Sequence, residues 1–442
     1  MSEPVIQSLV ARRIWDSRGR PTVEAEIALS DRAVGRGIAP AGASRGAREA
    51  IDKRDGGERF GGFDVQDALQ GIRVEIAPAL VGLDPFDQAS VDARLIALDG
   101  TLNKARLGGN ALTAVSLGVL HAAAASRGLP LWRYCLGDKQ AIIPLPEIQI
   151  FGGGAHAGRR VDVQDFMVIA PRAKTFAEAL AVTAEVYHAA GAIMAERGLL
   201  RGVADEGGWW PAFAANEEAL DALMRAIERA GLAPGADVAI SLDVAASEFG
   251  HSGRYRLGLE QRELDRDALA EMLLGWCGRY PILSIEDPFA EDDDEGFEQF
   301  TAAVGDRIQV IGDDYLVTSA SRVRDAALLR SVNAVLVKVN QAGTVSEAKA
   351  ASDEGRRSGL GTIVSARSGE TEDTSIVHLA IGWGAGQLKV GSFSRSERMA
   401  KWNEALRIEE ALGSKARFAG LDEMPMRRQK AKPVQAASGG RA

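Results

Sequence analysis

Apolar and polar positions first alternate along the chain and then settle into helical spacing. Thr22–Ser30 (TVEAEIALS) alternates with the period of two of a half-buried strand. Asp64–Val81 and Ala111–Arg127 repeat apolar residues at helical intervals, and Arg127-Gly128-Leu129-Pro130 supplies a stop for the second. Strands followed by helices predict a small α+β domain over residues 1–138. From about Lys139 the pattern changes. Short apolar runs at Phe166–Ile169, Val238–Leu242, Ile282–Ile285, Ile308–Ile311, Ala334–Val337, Gly361–Val364 and Gln387–Val390 alternate with amphipathic stretches. The latter include Thr175–Arg197, Glu217–Ala230, Arg266–Arg279 and Val345–Arg357. Alternating strand and helix over residues 139–424 predicts a parallel sheet closed as a (β/α)8 barrel, with a doubly wound open sheet as the alternative.

Composition narrows the classes. The 442 residues carry 46% hydrophobic and 26% charged positions, the profile of a globular protein with ample core. A net charge of −9 gives no electrostatic reason to expect nucleic acid as a partner. Two cysteines, Cys135 and Cys277, build no disulfide framework and suit a reducing compartment, so the expected location is cytoplasmic. No signal-peptide pattern opens the chain, and the apolar stretch Ala141–Ile150 is short and interrupted by Pro144 and Pro146, so no membrane association is expected. Residues 425–442 read as a disordered basic tail, or as a basic interaction arm.

Polar residues at the ends of the apolar runs carry the chemistry. SLD ends in Asp243, SIED in Glu286 and VIGDD in Asp313; VLVKVN places Lys338 within its run, IVSARSG follows with Arg367 and Ser368, and LKV carries Lys389. In a barrel, strand ends converge on one face, so these groups would share a pocket. An Asp or Glu after a strand can merely cap the next helix. Three of them together with two lysines and an arginine point instead to a hard oxygen site for Mg²⁺. A lysine near cations loses its proton more readily and can act as a general base, while a second, protonated lysine and Mg²⁺ hold the charge that proton removal creates next to a carboxylate. Glu291–Glu295 (EDDDE) lacks the spaced ligands of a calcium loop, and Phe151–Gly158 lacks the Gly-Lys-Ser/Thr ending of a P-loop.

The motifs DSRGRPTVEAE (Asp16–Glu26), GASRG (Gly42–Gly46), GGGAHAG (Gly152–Gly158), ADEGGW (Ala204–Trp209), LDVAASEF (Leu242–Phe249), SIEDPFAEDD (Ser284–Asp293), KVNQAGT (Lys338–Thr344), SGETEDT (Ser368–Thr374) and RSERMAKWNEALRIEE (Arg395–Glu410) resemble the enolase family, in order, from about Val5 to Leu421. That superfamily is a known case of a Lys or His base working beside one or two Mg²⁺ ions. The resemblance implies an N-terminal α+β cap on a C-terminal barrel, a homodimer or higher oligomer, a small phosphorylated substrate and two Mg²⁺, the second bound with substrate. It implies Asp243, Glu286 and Asp313 as ligands of one ion, and Ser44, on the loop Ala41–Arg48, as a ligand of the other. It implies Lys338 as the base at C2 of 2-phosphoglycerate, Lys389 as stabiliser of the enediolate and Glu206 as the acid at the C3 hydroxyl, with Asp165 as a supporting carboxylate. Arg367 and Ser368 would grip phosphate, and His156 and Gln164 would line the substrate.

The chain also departs from the family pattern. Where the family has His before the phosphate-binding Arg, this chain has Ala366, and losing one preorganised donor typically costs about 10²–10³ in rate. Gln164-Asp165-Phe166 shortens the usual Q-E-F carboxylate by one methylene, and Phe151-Gly152-Gly153 stands for N-G-G. Arg20, Arg45, Arg159, Arg160 and Trp209-Trp210 add cations and aromatic surface to loops that the family folds over its substrate. Arginines grip phosphates and Trp can stack on a base. The expectation is therefore a Mg²⁺-dependent specialised enzyme such as the carboxyphosphonoenolpyruvate synthase of phosphinothricin biosynthesis. Arg45, Arg159, Arg160 and Trp209 would then take CMP-phosphonoformate as second substrate. The alternatives are a housekeeping enolase and a non-catalytic binding protein on the same fold.

Overall fold

The alternation of the first segment forms an antiparallel sheet of β1 (Ile6–Trp15), β2 (Pro21–Leu29) and β3 (Val34–Ile38) in the order 1-2-3. The computed structural model describes residues 3–210 and 212–426. Val23, Ala25, Ile27 and Leu29 of β2 are fully buried. They meet the helix Gly109–Ser126, which the spacing predicted as Ala111–Arg127. That helix sits directly on β3, because a Cβ at Gly37 would come within 2.3 Å of the Ala114 carbonyl oxygen. The expected helix Asp64–Val81 is present from Gln66 to Leu80, with one π turn at Ile72–Ile76.

Eight strands close the barrel. They are β4 (Leu145–Gly152), β5 (Asp165–Ile169), β6 (Ala239–Asp243), β7 (Ile282–Glu286), β8 (Gln309–Gly312), β9 (Ala334–Val337), β10 (Gly361–Ser365) and β11 (Gln387–Gly391). Seven correspond to the apolar runs. The eighth, β4, is the stretch that two prolines had set apart; both precede its buried run Glu147–Gly152 or stand at its start.

The expected alternation of strand and helix fails at the beginning of the barrel. β5 follows β4 through a loop without a barrel helix, runs antiparallel to both β4 and β6, and is followed by two successive helices, Phe176–Glu196 and Asn216–Arg229. The twelve intervening residues hold no helix long enough to carry the chain back to the start of β4, the crossover that a parallel pair needs. This reversal positions the site: Asp165, the first residue of β5, pairs in register with Asp243, the last residue of β6. The helices start where the chain supplies caps. Thr175 accepts from the Glu178 amide at 3.0 Å while Glu178 accepts from the Lys174 amide at 2.7 Å, an arrangement whose loss costs about 1 kcal/mol.

Arg427–Ala442, read as a disordered basic tail, lies outside the described residues. Pro425 and Met426, assigned to that tail, are instead buried, Met426 against Leu145 and Ile169 at the base of the barrel. Among the described residues no helix is long and apolar enough to cross a membrane.

Candidate active site

The strand ends meet as the sequence pattern requires. Asp243 ends β6, Glu286 ends β7, Asp313 follows β8, Lys338 follows β9, Arg367 and Ser368 follow β10, and Lys389 lies within β11. All are buried. A small pocket is lined by Asp243, Lys338, Arg367, Ser368 and Lys389 together with His156, Gln164, Asp165, Glu206, Ala366 and Gly42–Ser44. Four elements outside the regular strand ends therefore contribute: the loop from the N-terminal region, the β4–β5 loop with His156, the reversed strand β5, and the segment Ala204–Gly208.

Charge balance explains the arrangement. Lys389 Nζ lies 2.8 Å from Asp243 Oδ2, 2.9 Å from Glu286 Oε2 and 3.4 Å from Asp165 Oδ2. Burial opposes its ammonium, but Asp243 and Glu286 outweigh burial and hold its pKa well above the ordinary value. Lys389 thus stays cationic, as charge stabilisation requires. Burial, reinforced by Asp243, raises Glu286 well above the usual carboxylate range. Burial also raises Glu206, which favours the protonated carboxyl of a general acid. His156 Nδ1 lies 3.2 Å from Asp165 Oδ1, and its Nε2 lies 3.8 Å from Glu206 Oε1. Burial disfavours the imidazolium, yet Glu206 and Asp165 prevail and raise the His156 pKa. Asp165 is held low: burial pushes it up, but His156 and Lys389 more than compensate.

Lys338 meets a carboxylate as well as the cations that the sequence placed near it. Its Nζ bonds to Asp313 Oδ2, and although burial favours the neutral amine, Asp313 raises the pKa. The anticipated effect of neighbouring cations is present, since Arg367 and Lys389 both lower it, but the carboxylate is closer. With Asp313 against it, the Lys338 ammonium is the favoured form.

The residues fit a divalent cation. Asp243 and Glu286 converge on one point, at Lys389 Nζ, and Glu286 Oε1 is a buried carboxylate oxygen without a hydrogen-bond partner. Such a donor set is hard and all oxygen, as Mg²⁺ prefers. Asp313 does not converge on the same point: its Oδ1 accepts from Gln341 Nε2 at 2.8 Å and its Oδ2 from Lys338. Among the described residues, the two groups of three His or carboxylate ligands whose atoms lie within 4.8 Å of one another are His156–Asp165–Glu206 and Asp287–Asp313–Asp314. Gln164 supports Asp243, donating from Nε2 to its Oδ2 at 3.0 Å. Ser44 is buried at the pocket, with its carbonyl accepting from Arg367 at 3.0 Å.

The residues expected to hold a second substrate do not gather there. Trp209 stacks on Tyr187 with 4.7 Å between ring centroids, donates from Nε1 to the Tyr187 carbonyl at 2.8 Å and packs over Gly191. Its face is committed to the helix Phe176–Glu196, which corrects its reading as a platform for a base. Arg159 pairs with Glu248 at 2.8 Å on the surface, and Arg45 and Arg160 are exposed; none of the three lines the pocket.

Sequence reasoning passed over several supporting groups. Asp287 accepts from the amides of Asp313 and Asp314 at 2.9 and 2.7 Å, fixing the turn that presents Asp313; its place beside Glu286 was the available signal. Gln149 holds Asp165, and its position two residues after Glu147 on β4 marks both as inward-facing. Glu147 is fully buried, accepts from Gln387 Nε2 at 2.6 Å and Ser241 Oγ at 3.1 Å, and is pushed up to about 7 by burial. A lone Glu in an apolar run carries no periodic signal.

Comparison with known proteins agrees with this architecture. Residues 6–135 match the enolase N-terminal domain and residues 140–427 the enolase C-terminal TIM barrel domain. The chain is 47% identical over 424 residues to an enolase of Acidothermus cellulolyticus, covering 95% of this chain and 98% of that relative.

Proposed function

The chain belongs to the enolase family, and on that premise we propose that it dehydrates 2-phosphoglycerate to phosphoenolpyruvate and water. The observation that carries this reading is the placement of Lys338, Lys389 and Glu206 around one pocket that Arg367 and Ser368 also line. The extended similarity to a protein named enolase favours this reaction over a specialised one.

The roles follow from the charges. Lys338, as the free amine, takes the proton from C2, and the C–H electrons pass into the neighbouring carboxylate. The Lys389 ammonium faces the resulting enediolate. Glu206 gives its proton to the C3 hydroxyl, the C3–O bond breaks, water leaves and the C2–C3 double bond forms. His156, beside both Glu206 and Asp165, keeps the acid in place and moderates its charge. Arg367 and Ser368 hold the phosphate. Asp243 and Glu286, joined by Asp313 once it turns from Lys338, would hold Mg²⁺, with Ser44 available to a second ion; bound there, Mg²⁺ would supply positive charge at the substrate carboxylate. Preorganised charges of this kind are usually the largest single contribution to an enzyme's rate enhancement. The family's dimer belongs to the same reading and is checked by light scattering.

A second reading is favoured by one observation: Ala366 lines the pocket and presents only a methyl where the family carries a donor. In that reading the enzyme is a carboxyphosphonoenolpyruvate synthase-like paralogue using CMP-phosphonoformate. Following phosphoenolpyruvate absorbance with 2-phosphoglycerate and excess Mg²⁺ separates them. Turnover of about ten per second or more supports dehydration as the physiological reaction. Turnover about 10² lower, with release of a cytidine nucleotide from CMP-phosphonoformate, supports the second.

A further inference from the structure

Arg367 is the buried cation to which the proposed reaction assigns the phosphate, yet its guanidinium already carries a carboxylate. Nη1 donates to Glu49 Oε2 at 2.9 Å and to Asn340 Oδ1 at 3.2 Å. Nη2 donates to Glu49 Oε1 at 3.1 Å and to the Ser44 carbonyl at 3.0 Å. The pair is two-pronged, the strong and directional form of an arginine–carboxylate contact, and both side chains are almost wholly buried. All four terminal N–H groups are thereby used. Nε–H has no partner among the described residues.

Glu49 is held independently of Arg367. Its Oε1 also accepts from the Gly46 amide at 3.1 Å and from Gln341 Nε2 at 3.3 Å, and that same Gln341 nitrogen donates to Asp313 Oδ1. Glu49 lies at the end of the loop that delivers Ser44, and the following amide, of Ala50, is bonded to the Gln341 carbonyl at 2.8 Å. One carboxylate thus joins the loop that carries Ser44, the cation proposed to bind phosphate and the side chain that holds Asp313. Arg367 lines the pocket and Glu49 does not, so the carboxylate backs the guanidinium and leaves the ligand's place open. The approach is close: a Cβ at Gly42 would fall 1.9 Å from Arg367 Nη2, so the loop lies on the guanidinium itself.

We propose that Glu49 is a positioning residue that fixes the Arg367 guanidinium plane, presents Nε–H and the neighbouring Ser368 hydroxyl to the phosphate, and latches the Ser44 loop over it. A planar guanidinium rewards its partners only in a narrow range of orientations, so a backing carboxylate preorganises it at no cost when substrate arrives. The proposal rests on Arg367 as the holder of the substrate phosphate.

Glu49→Gln keeps the shape and removes the charge. We expect KM for 2-phosphoglycerate to rise about tenfold or more, with kcat changed less than about threefold, because a ground-state grip is loosened. The dissociation constant of inorganic phosphate, read by calorimetry, should rise by a similar factor. In the substrate-free protein, trypsin should nick the Arg45–Gly46 bond several-fold faster in the variant than in the parent. If Glu49→Gln does not fold, as judged by its thermal transition, Glu49→Asp is read in the same three ways. Unchanged KM, phosphate affinity and nicking overturn the proposal. Tighter phosphate binding also overturns it, since Glu49 would then be a competitor for the guanidinium. A parent enzyme that fails to turn over 2-phosphoglycerate sinks the reading of the reaction, while phosphate affinity and nicking still decide the role of Glu49.

Discussion

Lys338 and Asp313 form a buried ion pair between the ends of neighbouring barrel strands, so the expected base is neutralised by an expected metal ligand. Breaking a buried pair from one side leaves an uncompensated charge and typically costs about 3–5 kcal/mol. In metal-free protein Lys338→Met should therefore lower stability by that order, and saturating Mg²⁺ should recover most of the loss. Urea titrations with and without Mg²⁺ check this; equal losses in both conditions would contradict it. In the same variant, proton abstraction at C2 should fall by about 10²–10⁴.

Glu206→Gln separates the two halves of the reaction. The acid is removed while Lys338 and Lys389 remain, so dehydration should drop by about 10²–10⁴ while exchange of the C2 proton with solvent persists. Proton NMR of 2-phosphoglycerate in D₂O reads the exchange. Loss of both together would place Glu206 in the abstraction step.

Trp209→Ala tests whether this residue packs or binds. Its ring lies on Tyr187 and over Gly191. Truncation should destabilise the protein by about 3 kcal/mol, near the lower end for large aromatic deletions because the ring is only half-buried. KM for 2-phosphoglycerate should stay within about twofold. Calorimetric melting and steady-state kinetics give both numbers, and an altered affinity for a cytidine nucleotide would restore the binding role.

His156 gives a pH dependence with a defined sign. Glu206 and Asp165 raise its pKa above the ordinary value near 6.5. Its contribution to stability is therefore fully present below about 6.5 and is lost as pH rises through the folded-state value. The stability gap between parent and His156→Gln in metal-free buffer should be larger at pH 6 than at pH 9. A gap that widens toward alkaline pH would show that the imidazole is neutral throughout.

The strand-end residues were legible because a barrel forces them together: the parallel strands β6 to β11 end at the same rim, so Asp243, Glu286, Asp313, Lys338 and Lys389 needed no more than their places in the runs. The reversed β5 was not legible. A run such as Phe166–Ile169 is apolar on both faces whichever way it points, and its direction is decided by the connection before it. The pairing of Lys338 was missed because spacing shows which groups share a rim, whereas proton affinity depends on which neighbour lies closest. Trp209 was read as a rim residue because its segment bears Glu206. The ring turns outward because Gly191, four residues beyond Tyr187 on the same helix face, leaves room for it.

The two loops at the mouth differ in how they are fastened. The β4–β5 loop is stitched across its base by Gly153 N–H to the Gln164 carbonyl at 2.7 Å and Gly154 N–H to the Val161 carbonyl at 2.9 Å, and Asn216 accepts from the amides of Asp162 and Val163. His156 therefore stands ready before any ligand arrives. Ser44 is carried by a segment that reaches the barrel through separate contacts at Ala41, Ala47 and Glu49. The two sides of the proposed site thus depend on different parts of the molecule: His156 on bonds internal to the barrel, Ser44 on bonds that cross from the N-terminal region to the barrel, so weakening the seam between the two domains would displace Ser44 and leave His156 in place.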